Sequence, residues 1–178
     1  MRILGAIIAG GQARRFGSDK AAAMLKGSAL IDHVFEGLKP QVTQVAIAGR
    51  PWRDLPALSD RPSEGLGPLA GLNAALHHAR DRGFDAVLSA GCDTLPVPPL
   101  LAETLSGDVP AYVADHFLMG YWPSSLAETL DKYLAGSENR SMRGWIEHCG
   151  ARPVRLDTEL YNLNTPEALA AYARLTAS

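Results

Sequence analysis

The chain has 178 residues, 47% hydrophobic and 20% charged, with a formal net charge of −2. That balance describes a single globular domain over residues 1–178 and excludes a disordered chain. It also argues against a nucleic-acid binder, whose domain is usually strongly basic, so the 17 Lys and Arg residues must act locally if they act at all.

Met1-Arg2-Ile3-Leu4 reads as entering the first element directly, so no signal peptide is expected, and no apolar stretch approaches the ~20 residues of a membrane helix. Leu4–Ala9 is a continuous apolar run of strand length, the pattern of a strand covered on both faces. A glycine-rich basic loop follows. Ala29–Leu38 then reads as a helix, with Leu30, Ile31, Val34, Phe35 and Leu38 on one face, and Gln44–Ala48 as a second strand. Asp60–Gly67 is a Pro/Gly-rich loop before a strong helix, Leu69–Arg82, ended by Gly83. The adjacent His77-His78 are expected on that helix's surface. Asp85–Ala90 is a third strand, and Pro98-Pro99 open the next helix.

The second half is less regular. Ala111–Ala114 and Phe117–Trp122 read as paired strands joined at Asp115-His116, and Ser125-x-x-Glu128 as a capping box. A helix near Ser141–His148, a strand near Pro153–Leu156 and a helix opened by Thr165-Pro166 complete the chain. This alternation predicts an α/β fold: three layers, doubly wound, with a mostly parallel sheet and a short antiparallel segment in the second half. Cys92 and Cys149 form no CxxC or zinc spacing, and no His-x-x-x-His pair occurs; a reduced, cytoplasmic chain is expected.

In such sheets ligands sit beyond the carboxyl ends of the strands. Here those ends carry Gly10-Gly11, Ala48-Gly49 and Gly91-Cys92-Asp93. Adjacent glycines let backbone amides approach a phosphate, and Arg14, Arg15 and Lys20 supply positive charge. The spacing is neither a P-loop, which needs G-x-x-x-x-G-K-[ST], nor the dinucleotide fingerprint G-x-G-x-x-G. Taken alone, Asp93 reads as a cap or turn aspartate ahead of Thr94 and Pro96. Cys92 reads as a small buried residue, since no histidine is placed to activate it.

The stretch Ile8–Lys20, together with Gly67-Pro-Leu-Ala-Gly71, Cys92-Asp93-Thr94-x-Pro96 and Asn162-Leu-Asn-Thr-Pro-Glu-Ala-Leu169, resembles the molybdenum cofactor guanylyltransferases over nearly the whole chain. The first loop alone is shared with cytidylyl- and sugar-nucleotide transferases. The resemblance implies a Rossmann-like nucleotidyltransferase fold and transfer of GMP from GTP to the terminal phosphate of molybdopterin carrying molybdenum, with release of pyrophosphate. It implies nucleotide contacts at Ile8, Ala9, Gly10, Gly11, Asp60 and Gly67, and triphosphate contacts at Gly11, Arg15 and Lys20. Asp93 falls at the position of the family's Mg²⁺ ligand. Asn162 and Asn164 fall where related enzymes contact the metal or the acceptor, although Asn164-Thr165 equally reads as a helix cap. Molybdoenzymes and cofactor-delivery proteins are partners that the resemblance suggests. Three departures stand out: Ala48-Gly49 where the family often has asparagine, a short turn at Asp115-His116 where it usually has a longer hairpin with His-Pro, and a somewhat short chain. Two other readings therefore stay open: a cytidylyl- or other transferase using a different phosphate acceptor, and a nucleotide-binding protein without turnover that acts in cofactor delivery.

Overall fold

The computed structural model describes residues 1–10 and 19–177. In chain order its strands are β1 (Ile3–Ile8), β2 (Met24–Leu25), β3 (Ser28–Ala29), β4 (Gln44–Ala48), β5 (Ala57–Leu58), β6 (Ala86–Gly91), β7 (Thr94–Leu95), β8 (Ala111–Val113), β9 (His116–Pro123), β10 (Arg152–Val154) and β11 (Tyr161–Asn162). The helices are α1 (Leu30–Leu38), α2 (Pro68–Asp81), α3 (Leu101–Leu105), α4 (Ala127–Gly136), α5 (Met142–Cys149) and α6 (Pro166–Leu175).

Seven strands form one sheet in the order β10-β8-β9-β6-β1-β4-β5. All its pairings are parallel except those of β9, which runs antiparallel to both β6 and β8. The expected mixed sheet is therefore present, with its antiparallel segment in the second half. Every residue of β1 and β6 is buried, as a strand covered on both faces requires. Period-two alternation divides β1 between two cores. Ile3 and Ile7 face α1, α3 and α6; Leu4, Ala6 and Ile8 face α2, α4 and α5. Each large aliphatic side chain buried this way stabilises the fold by about 1.5–3 kcal/mol.

Three expectations are corrected. Ser125 does not cap α4: Ser124–Leu126 forms a 3₁₀ turn, Ser124 N donates to Asp85 O at 2.9 Å, and α4 starts only at Ala127 with no side-chain cap. The helix after Pro98-Pro99 is delayed, because Leu101 N bonds Pro98 O at 3.2 Å and the prolines form the turn ahead of α3. His77 is not on the surface. It is 6% exposed on the face of α2 that meets α4, with Nε2 2.9 Å from Asp131 Oδ2. Among the described residues no helix is long and apolar enough to cross a membrane.

The doubly wound topology brings the carboxyl ends of β1, β4 and β6 to one edge. Ser89 and Trp122 hold β9 beside them: Trp122 Nε1 donates to Ser89 Oγ at 2.8 Å, and Ser89 Oγ donates to Leu118 O at 2.6 Å. A buried hydroxyl and indole are thus both satisfied, as burial of polar atoms demands.

Candidate active site

At that edge lies a cleft of about 220 Å³, lined among others by Ile8, Gly10, Lys20, Arg50, Cys92 and Asp93. β1 ends at Ile8, and Ala9 N still bonds Ala48 O at 2.9 Å, so the backbone at Ala9-Gly10 is pinned against the end of β4. Gly49 makes that approach possible: its φ is +92°, and a Cβ there would lie 2.4 Å from Gly10 Cα. Only glycine satisfies both the dihedral and the space.

Asp93 follows β6 and is held from its backbone, where Leu163 N donates to Asp93 O at 2.7 Å. The antiparallel pair β7–β11 sets Asn162 opposite Thr94, and Thr94 Oγ1 donates to Asn162 Oδ1 at 2.9 Å. This clamp carries Asn164 to the cleft. Lys20 Nζ lies 2.6 Å from Asp93 Oδ2 and donates to Asn164 Oδ1 at 3.1 Å. One cation, a carboxylate and an amide oxygen therefore converge from three distant parts of the chain. Thr165, rather than Asn164, caps α6, accepting from Ala168 N at 3.1 Å.

Asp60 lies in an adjoining cleft of about 160 Å³ with Gly49, Arg50 and Glu64. Burial raises its carboxyl pKa, and the charge of Glu64 adds to the rise. Gly67 stands at the N-cap of α2 with φ +71° and ψ −165°, and Pro68 after it lines the first cleft, so the positive end of the α2 dipole faces the site. Of the residues expected from the sequence, Ile8, Ala9, Gly10, Lys20 and Asp93 line the first cleft, and Asn164 reaches Lys20 beside them. Asp60 lines its neighbour, and Asn162 Oδ1 is engaged by Thr94. Gly11, Arg14 and Arg15 lie outside the described residues.

Sequence reasoning gave no role to two of the lining residues, Arg50 and Asp19, although Asp19 lies within the Ile8–Lys20 stretch. Arg50 Nη1 donates to Asp19 Oδ1 at 2.5 Å, and its guanidinium stands 5.3 Å from the centre of the Trp52 ring. The only signal was position, since Arg50 directly follows the glycine at a strand's carboxyl end.

A profile of the family described as MobA-like NTP transferase domain matches residues 5–154. The molybdenum cofactor guanylyltransferase of Rhodobacter capsulatus is 42% identical over 183 residues, covering 96% of this chain and 94% of that protein. The enzyme of the same name from Acidiphilium cryptum is 36% identical, covering 93% and 91%. Among solved structures, molybdopterin-guanine dinucleotide biosynthesis protein A from Archaeoglobus fulgidus superposes with a TM-score of 0.78 over 98% of each chain at 23% identity, which speaks for the fold. With its glycines, lysine and aspartate gathered at one sheet edge and a family profile matched across most of its length, the chain belongs to the MobA-like NTP transferases.

Proposed function

We propose that this protein transfers GMP from GTP to the terminal phosphate of the molybdenum–molybdopterin cofactor, forming its guanine dinucleotide and releasing pyrophosphate. The observation that carries the reading is the pairing of Lys20 and Asp93 in the cleft beyond β1 and β6, with Asn164 reaching Lys20 beside them. An acceptor phosphate oxygen attacks the α-phosphorus, the bond to the bridging oxygen of the β-phosphate breaks, and its electron pair leaves with pyrophosphate. Such a reaction asks the protein chiefly for positioning and charge neutralisation. In this reading Ala9-Gly10 backbone and the α2 N-terminus face the nucleotide, Lys20 swings from Asp93 to the phosphates, and Asn164 guides it. Arg15 and Gly11 would join Lys20 on the triphosphate, Asp60 would meet the nucleoside, and Asn162 would hold the acceptor-side segment through Thr94.

The donor set fits Mg²⁺. Asp93 and Asn164 offer hard oxygens around the Lys20 ammonium, and a lone carboxylate suffices when phosphates and water complete the shell. Asp93 would be the ligand, and such an ion supplies neutralisation of charge on the phosphates and on the departing pyrophosphate.

The test combines purified protein, Mg²⁺, each nucleoside triphosphate and molybdopterin-type acceptors, following dinucleotide and pyrophosphate. GTP is expected to give the fastest turnover, and Asp93→Asn to slow it on the order of 100-fold or more while leaving the protein folded. Fastest turnover with CTP would move the reading to a cytidylyltransferase. An unchanged rate and metal dependence in Asp93→Asn would reduce Asp93 to a turn residue.

A further inference from the structure

Asp19 and Lys20 are neighbours in sequence, yet they pair with opposite walls of the cleft. Lys20 meets Asp93 beyond β6, and Asp19 meets Arg50 beyond β4. Both Lys20 and Arg50 are thus balanced by carboxylates. We propose that Arg50 is a further phosphate-binding residue of the nucleotide site, held in place by Asp19 and handed from that carboxylate to the phosphates when the nucleotide enters. This inference rests on the nucleotidyltransferase reading above.

Four observations carry it. Among the described residues, Arg50 alone lines both the cleft holding Lys20 and Asp93 and the adjoining one holding Asp60. Its backbone follows Gly49, which is locked against Gly10, so the side chain starts from a fixed point beside the backbone that faces the nucleotide. Its guanidinium rests on Trp52, whose indole N–H is itself held by Asp32 at 2.8 Å, so the side chain is oriented before any ligand arrives. Finally, its present partner is a mimic of the proposed one. Asp19 offers an oxyanion to a fork of N–H donors that suits phosphate oxygens at least as well. The Asp19 side chain is 48% exposed and that of Arg50 27%, so the pair is wet, worth little by itself, and easily exchanged. A triphosphate carries several negative charges where Asp19 carries one.

The alternative is a staple that only shapes the turn before Lys20. Calorimetric titration of guanosine, GMP, GDP, GTP and CTP into wild type, Arg50→Gln, Arg50→Lys and Asp19→Asn separates the two. Arg50→Gln is expected to weaken GTP and CTP by roughly 10- to 100-fold, the loss expected for a charge-assisted hydrogen bond, and to leave guanosine within about twofold. Arg50→Lys should recover only part of the loss, because an ammonium lacks the fork. Asp19→Asn should bind GTP as tightly as wild type or tighter. Unchanged GTP affinity in Arg50→Gln overturns the proposal, as does an equal loss for guanosine and GTP. So does an Asp19→Asn variant as weak as Arg50→Gln, which would make the pair a staple. Should Arg50→Gln fail to fold, Arg50→Lys against Asp19→Asn decides between the same two roles. A wild-type preference for CTP would sink the guanylyl reading while leaving this test in force, since both nucleotides carry the same phosphates.

Discussion

Cys92 stands one residue from Asp93 inside the cleft, yet its thiol is held out of reaction. Burial pushes its pKa up to about 11, the Asp93 charge adds to the rise, and Lys20 and Arg50 offset only part of it. The folded protein therefore keeps a proton that the unfolded chain, titrating near 9.0, gives up sooner. The resulting stabilisation is whole below pH 9 and is lost as pH rises towards about 11. Cys92→Ala should lose packing at every pH but show a shallower fall in stability across that alkaline window, read from urea midpoints at a series of pH values. Parallel curves for the two proteins would contradict the assignment. The burial of Cys92 was legible in the sequence because nothing nearby could activate a thiol. Arg50 was not legible, since its meaning comes from Asp19 and Trp52, and no spacing rule connects those three residues.

Among the elements, the long strands were readable from continuous apolar runs, and the helices from apolar residues at helical spacing. β2, β3, β5, β7 and β11 are two residues each, too short to show any period, and they exist only because a partner strand is brought alongside. One of these pairs, β7–β11, delivers Asn164 to Lys20, so the second half of the site depended on an element the sequence did not announce. Two glycines of positive φ, Gly67 at the α2 N-cap and Gly49 at the end of β4, make an element-scale prediction. At Gly67 an added Cβ meets nothing within 4 Å, so Gly67→Ala carries only the strain of its dihedrals, about 1–3 kcal/mol. At Gly49 the same strain comes with a Cβ 2.4 Å from Gly10 Cα, and backbone cannot step aside as a flexible side chain would. Gly49→Ala should be the more destabilising of the two by urea unfolding. It should also weaken GTP binding more, because the shift falls on Gly10 itself. Equal costs for the two variants would mean that the β1 and β4 ends separate freely.

At the scale of the whole molecule, the layer behind the sheet is tied through one carboxylate to the loop that carries Asp60. Asp131 on α4 accepts from Asn73 Nδ2 at 2.7 Å and from Arg61 at 3.3 Å, with His77 Nε2 at 2.9 Å. Arg61 is fastened to α2 as well: its N–H donates to Ala70 O at 3.1 Å, and its carbonyl accepts from Asn73 Nδ2 at 3.3 Å. Asp60, next to it, is thereby set beside Gly10 by contacts that begin in α4. Burial alone would raise the Asp131 pKa, but the hydrogen bonds of Asn73 and Arg61 and the charges of His77 and Arg61 outweigh it and hold the value below 3.8. A depressed carboxyl pKa gives stability that is present above pH 3.8 and lost as pH falls through the folded value. Asp131→Asn keeps the shape and removes the charge, and should cost about 1–2 kcal/mol at pH 7, kept small because the carboxylate is partly exposed. The difference from wild type should shrink as pH drops below 3.8, where both side chains become neutral. Hydrogen exchange at pH 7 should show faster opening of residues 60–66 in the variant while β1 and β6 stay protected, because the tie governs the loop and not the sheet. A stability loss that persists undiminished in acid would assign the effect to packing of α4 on α2 and remove the charge from the account.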